Sequence, residues 1–128
     1  MEYKKRETLE TRRAEAQRVF EKFPGRIPVI VERAANAKTI PLIDKNKFLV
    51  PADLTLSQFI FVIRKRLTLP PEQALFLFVG NTLSTTSALM KELYSKYKEE
   101  DGFMYVKYCG ENTFGFNYPS NLPHLQRD

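Results

Sequence analysis

The sequence predicts an α+β fold: a four-stranded mixed sheet crossed by one dominant helix, with an added N-terminal helical segment. Three observations predict it. Thr55 and Gln58 form an S/T-x-x-E/Q box ahead of an apolar repeat at helical spacing, four short β-rich runs are bounded by Pro and Gly, and the first segment has its own apolar stripe. The chain has 128 residues, 43% of them hydrophobic and 12% aromatic, which suffices for the core of one domain.

Residues 7–23 place Leu9, Ala16, Val19, Phe20 and Phe23 on one stripe, with Arg12, Arg13, Glu15, Arg18 and Glu21 facing elsewhere, so they predict a helix stopped by Pro24-Gly25. Residues 26–32 read as a strand, with Pro28 near its start, where a missing ladder N–H is tolerable. Residues 47–50 form a second short strand closed by Pro51, antiparallel to the first and joined to it by the polar loop 33–46. Behind the Thr55 box, Leu56, Phe59, Ile60, Ile63 and Leu67 predict the dominant helix, which Pro70-Pro71 keeps from continuing. Residues 74–79 are a continuous apolar run ending at Gly80-Asn81, suited to a third strand covered on both faces. A helix over 87–98 carries Met90, Leu93, Tyr94 and Tyr97, and Asp101-Gly102 turns the chain into a last strand at 103–108. Without its first helix, this order is that of a ubiquitin-like β-grasp.

Several function classes are excluded by what is missing. No run approaches the roughly 20 apolar residues that span a bilayer, and nothing apolar follows Met1-Glu2-Tyr3-Lys4-Lys5 to serve as a signal peptide, so a cytoplasmic protein is expected. A single cysteine permits no internal disulfide, in keeping with a reducing compartment. The net charge of +5 comes from basic residues interleaved with acidic ones, without zinc-ligand or RNA-binding signatures, and no nucleic-acid partner is expected. Cys109 as a nucleophile would need the sole histidine, His124, near the chain end; a small half-buried thiol is the expectation. No phosphate loop, carboxylate pair or metal cluster is visible, so neither an enzyme nor a cofactor is predicted, and no catalytic residue is assigned.

Near the C-terminus, Tyr105-Val106-Lys107-Tyr108-Cys109-Gly110 leads into Glu111-Asn112-Thr113-Phe114-Gly115, after which residues 116–128 are Pro- and Asn-rich and lack apolar periodicity. Read alone, Gly115 fits an ordinary turn glycine. It also fits a terminal glycine whose carboxyl enters a narrow channel, since no Cβ obstructs it. The organisation expected is an N-terminal extension over 1–26, a ubiquitin-like core over 27–110, an arm over 111–115 and a removable tail over 116–128.

The runs Arg26-Ile27-Pro28-Val29-Ile30, Lys47-Phe48-Leu49-Val50-Pro51-Ala52-Asp53-Leu54, Phe59-Ile60-Phe61-Val62-Ile63-Arg64-Lys65-Arg66 and Asp101-Gly102-Phe103-Met104-Tyr105-Val106 closely resemble the ubiquitin-like autophagy modifiers of the GABARAP type, and Glu111-Asn112-Thr113-Phe114-Gly115 completes the match. The resemblance covers residues 7–115 and implies an unprocessed precursor. In that family an autophagy cysteine protease cuts after the matching glycine. E1-like and E2-like conjugating enzymes then pass the carboxyl as a thioester to the amine of phosphatidylethanolamine, moving a cytoplasmic protein to the autophagosome membrane. Gly115 would be the reacting residue, with Phe114 and Thr113 in the enzyme channels.

The resemblance also implies receptors with aromatic-x-x-aliphatic motifs, bound as an extra strand on the second strand. Val19, Pro28, Ile30, Lys47, Leu49 and Phe103 would line the aromatic pocket, and Phe48, Val50, Pro51, Leu54, Phe59 and Val62 the aliphatic pocket. Arg26 and Arg66, with Lys47, would meet acidic residues flanking the motif. For Phe59, Leu54 and Ile30, plain core packing accounts for much of the pattern. Phe48 and Leu49 are adjacent apolar residues on opposite faces of an edge strand, so one of them is expected to be unusually exposed. Thr8-Leu9 stands where relatives carry Pro-Phe, which predicts looser anchoring of the first helix, and the tail is long for the family. An alternative shares the groove but not the chemistry: a non-covalent peptide-binding adaptor that keeps its tail. A nucleic-acid-binding β-grasp is a third reading, marked by steep salt dependence.

Overall fold

The computed structural model describes residues 2–37 and 39–110. Two helices, α1 (Tyr3–Arg6) and α2 (Leu9–Lys22), precede the strands β1 (Arg26–Arg33) and β2 (Lys47–Pro51), and helix α3 (Leu56–Leu67) crosses to β3 (Phe76–Val79). Helix α4 (Met90–Tyr97) then leads into β4 (Met104–Cys109). The sheet order is β2-β1-β4-β3, with β1 antiparallel to β2, parallel to β4, and β4 antiparallel to β3. This is the mixed sheet of a ubiquitin-like fold, and it leaves β2 at an edge.

Alternation along β1 and β4 sorts their side chains between two layers. Val29, Val31, Met104 and Val106 face α3 and share the main core with Leu56, Phe59 and Ile63. Ile30, Phe103 and Tyr105 face the other way and form a second core with Tyr3 and Ala16. The capping box is present at α3: the Gln58 amide donates to Thr55 Oγ1 at 3.1 Å and the Thr55 amide to Gln58 Oε1 at 2.9 Å. The next two amides of the helix, those of Leu56 and Ser57, donate to the carbonyls of Ala88 and Thr86. Those bonds hold residues 86–88 in a turn, which the Ala88 amide closes onto the Thr85 carbonyl at 3.1 Å, so α4 begins at Met90 rather than at 87. β3 begins at Phe76 rather than 74 because its partner β4 ends at Cys109, opposite Phe76.

Helix α1 is not foreseen by the sequence. Its one apolar residue, Tyr3, is 1% exposed and packs edge-on against Phe103 with ring centroids 5.4 Å apart, while its amide donates to Glu32 Oε2 at 2.8 Å. Helix α2 starts at Leu9, with Thr8 as its N-cap accepting from the Thr11 amide at 3.1 Å. Arg12 Nη1 donates to Asp101 Oδ2 at 2.6 Å, and the same oxygen accepts from the Tyr105 hydroxyl at 2.5 Å. Asp101 Oδ1 accepts from the Phe103 amide at 2.9 Å, leaving this carboxylate 1% exposed and hydrogen-bonded on both oxygens. Gly102, at φ +89°, lets the turn approach α2 so closely that a Cβ would lie 3.0 Å from that of Ala16.

Two further expectations are corrected. Phe20 and Phe23, placed by periodicity on the apolar stripe of α2, are 41% and 45% exposed. Cys109 is 1% exposed rather than half-buried, because it lies between β3 and the main core.

Candidate functional site

The outer edge of β2 is the starting point. The Val31 amide donates to the Asn46 carbonyl and the Ala52 amide to that of Gly25, which fixes Val29/Phe48 and Ile27/Val50 as the hydrogen-bonded pairs of the β1–β2 ladder. The intervening residues Lys47 and Leu49 therefore direct their backbone N–H and C=O outward. Among the described residues no further strand pairs with that edge. Pro28 stands opposite Leu49 at a position that takes no bond from β2, and it precedes the first β1–β4 pair, Val29/Met104, so its missing N–H interrupts neither ladder.

On the face shared with Ile30, the side chains of Lys47 and Leu49 meet α2 across a groove of about 600 Å³. Glu15, Arg18, Val19 and Lys22 form the helical wall, Phe23 closes it below, and Lys45 and Asn46 extend the strand wall. Of the residues expected at an aromatic pocket, Val19, Lys47 and Leu49 line this groove. Pro28, Ile30 and Phe103 are buried beneath, the last two with no exposed surface. Beyond Val19, the helical wall is not named in the sequence, although Glu15, Lys22 and Phe23 recur with Val19 at intervals of three and four; such a stripe fits a solvent-facing or core surface as readily as a groove.

On the opposite face, Phe48, Val50 and Phe59 are packed into the main core, with Leu54 against them. Phe48 and Phe59 meet edge-on at 5.8 Å, and Phe48 is only 8% exposed. Pro51 and Val62 lie at the surface, Val62 at 40% exposure, with Phe61 beside it at 57%. The expectation that Phe48 or Leu49 stands unusually exposed is corrected: α3 covers the first, and the second is half-buried in the groove wall. Hence the face expected to take the aromatic residue is an open groove, whereas the face expected to take the aliphatic one is a closely packed surface rimmed by Pro51 and Val62.

Charge around the groove is already engaged within the chain. Lys47 Nζ lies 2.9 Å from Glu15 Oε1, which also accepts from the Tyr3 hydroxyl, and the same ammonium sits 5.2 Å from the Tyr3 ring centre. Arg26 Nη1 donates to the Leu49 carbonyl at 3.1 Å, so an incoming strand must displace it to pair there. Arg66 Nε donates to Asp44 Oδ1 at 2.8 Å, a bond that holds the Asp44 carboxyl below its usual pKa. Arg18, Lys22 and Lys45 add positive charge to the rim.

Thr113, Phe114 and Gly115 lie outside the described residues, as does the tail 116–128. Among the described residues there is no group of three or more His, Cys, Asp or Glu able to hold a metal, and no helix long and apolar enough to cross a membrane. The arrangement suits non-covalent capture of an extended segment.

Known proteins resemble the chain over nearly its whole length. The family described as "Autophagy protein Atg8 ubiquitin like" matches residues 11–115. The chain is 54% identical over 114 residues to Autophagy-related protein 8 of Candida glabrata, covering 89% of this chain and 96% of that one. It is 60% identical over 108 residues to Autophagy-related protein 8B of Oryza sativa subsp. indica, covering 84% and 90%. Among solved structures, that of Trypanosoma brucei ATG8 superposes with a TM-score of 0.82 at 48% identity, covering 87% of this chain and 95% of that one.

Proposed function

The chain belongs to the Atg8 family of ubiquitin-like autophagy proteins, and from that premise we propose that it is a precursor cut after Gly115, joined through the Gly115 carboxyl to phosphatidylethanolamine, and used to recruit receptors with aromatic-x-x-aliphatic motifs. The observation that carries the recruiting half is the outward-facing backbone of Lys47 and Leu49 beside the α2 groove. A peptide added as a strand gains main-chain hydrogen bonds there, and its aromatic side chain enters between Val19 and Leu49. The conjugating half is supported by the family match, which ends at Gly115.

On this reading the protein is a substrate and its partners supply the catalysis. A cysteine protease hydrolyses the Gly115–Phe116 bond. An E1-like enzyme adenylates the freed carboxyl with ATP, releasing pyrophosphate, and takes it as a thioester with loss of AMP; an E2-like enzyme receives it with release of the E1 thiol and transfers it to the lipid amine with release of its own thiol. Residues 113–115 are the part that threads the enzymes, with Phe114 and Thr113 flanking the reacting residue. Each buried CH₂ contributes about 0.8 kcal/mol, and two acyl chains hold at the autophagosome membrane a protein that is otherwise cytoplasmic.

The test is the intact mass after incubation in a cell extract with phosphatidylethanolamine vesicles. Loss of residues 116–128 followed by a lipid adduct is expected, and Gly115→Ala should block it without altering the fold. A chain that stays full length and carries no adduct would instead be the non-covalent adaptor.

A further inference from the structure

The chain leaves the sheet through a narrow slot. Gly110, one residue past β4, is buried, and a Cβ on it would lie 2.8 Å from Gln73 Nε2, 3.2 Å from Ile40 Cβ and 3.3 Å from Ile40 Cδ1. The Gln73 amide nitrogen donates to the Gly110 carbonyl at 3.2 Å and to that of Ala74 at 3.0 Å. Both walls are themselves tied down. The Gln73 carbonyl accepts from Arg64 Nη1 of α3 at 2.6 Å, and Nη2 of the same guanidinium donates to the Pro70 carbonyl at 2.9 Å. Across the slot, the Ile40 carbonyl accepts from Arg33 Nη1 of β1 at 2.9 Å, and Ile40 is 2% exposed. The chain is therefore gripped one residue beyond the sheet, where no ladder bond remains to hold it.

We propose that Gln73 is a positioning residue: by holding Gly110 in this slot it fixes the point and direction from which residues 111–115 leave the fold, so that Gly115 reaches its enzymes from one launch point. The inference rests on the processing at Gly115 proposed above. Five residues span at most about 17 Å, so the position of Gly110 bounds where Gly115 can be presented. Releasing its root adds conformers in which Gly115 is misplaced, and the enzyme-competent fraction falls. A ligand whose competent state is only partly populated binds with an apparent affinity reduced by that fraction. The effect accordingly appears in KM, since a seated arm is the same in either case.

The test uses the full chain with Gln73→Ala and the size-matched Gln73→Glu, which cannot donate to the carbonyl. For both, kcat/KM for cleavage after Gly115 by the autophagy cysteine protease should fall about five- to tenfold, the worth of one neutral hydrogen bond. The change should lie in KM, with melting temperature and motif-peptide affinity at the β2 edge unchanged. Wild-type kcat/KM in both variants overturns the proposal, as does a loss that tracks a fall in melting temperature and peptide affinity. The backbone order parameter of the Gly110 amide gives a readout without enzymes. It should fall from about 0.85 in wild type toward 0.6 in Gln73→Ala, and an unchanged value overturns the proposal. If the wild-type chain is never cleaved, the processing reading fails while this measurement still decides the slot.

Discussion

Replacing Arg12 with Ala removes the bond that holds α2, one wall of the groove, against the sheet. Asp101 has no exposed side-chain surface and Arg12 keeps 12% of its own, so the variant strands a desolvated carboxylate. Removing one partner of a buried ion pair costs about 3–5 kcal/mol. The partial exposure of Arg12, together with the remaining Tyr105 hydroxyl and Phe103 amide donors, brings this to about 2–4 kcal/mol. In a chain of this size that lowers the melting temperature by about 10–15 °C. The assay is denaturant unfolding of Arg12→Ala, Asp101→Ala and the double variant. The pair should show a coupling of about 1–3 kcal/mol that changes little with salt. The exposed pair Lys4–Glu99 is the control, and Lys4→Ala should cost less than about 1 kcal/mol. Single-variant effects that simply add in the double variant would refute the reasoning, because the carboxylate would then be satisfied without its guanidinium.

Phe48→Ala and Leu49→Ala should separate core from groove. The first, tucked against Phe59, costs about 3–5 kcal/mol of stability, whereas the second costs less than about 1.5 kcal/mol and weakens a motif peptide severalfold in a fluorescence polarisation titration. Asp44→Asn frees Arg66, and an acidic-flanked peptide should bind about two- to threefold more tightly at low salt, with the gain vanishing at high salt. Glu32→Gln concerns a carboxyl whose pKa burial raises, against the opposing charges of Lys107, Lys4 and Arg6. A raised folded pKa means that the native state binds the extra proton, so wild-type stability falls as pH rises from the ordinary 4.5 through the folded value. The Gln variant should be more stable than wild type near neutral pH and no more stable in acid, as read by denaturation midpoints.

The parts of the fold legible in the sequence are those where local and global signals agree. Helix α3 declares itself through Thr55, Gln58 and five apolar positions, and each strand through β-rich residues closed by Pro or Gly. The misses are decisions taken elsewhere in the chain. Three basic residues with one tyrosine carry no periodicity, so α1 exists only because Phe103 and Glu32 receive Tyr3. The start of α4 is set by amides of α3 that claim the Ala88 and Thr86 carbonyls, a contact no window of sequence displays. At the groove, the resemblance named Val19, Lys47 and Leu49. The wall formed by Glu15, Lys22 and Phe23 depends on how α2 lies against β2.

The groove and the exit of the arm share one segment, and how it is held decides whether they communicate. Ile40 forms a wall of the exit slot, and Asp44 and Asn46, a few residues on, line the groove. Between them the Tyr108 hydroxyl donates to the Pro41 carbonyl at 2.7 Å and accepts from the Ile43 amide at 2.8 Å, while Arg33 holds the Ile40 carbonyl. Tyr108 itself is fully buried. Residues 40–43 are thus fastened to both β1 and β4, the two central strands. A ligand shifts an equilibrium only by its differential affinity for two populated states, and a segment pinned from two strands offers one. The shared segment would therefore insulate: on the proposed function, a receptor on the β2 edge would find the same groove before processing, after it and once a lipid is attached. For a protein proposed to recruit receptors after it has been anchored, such independence keeps recognition constant while the attachment changes.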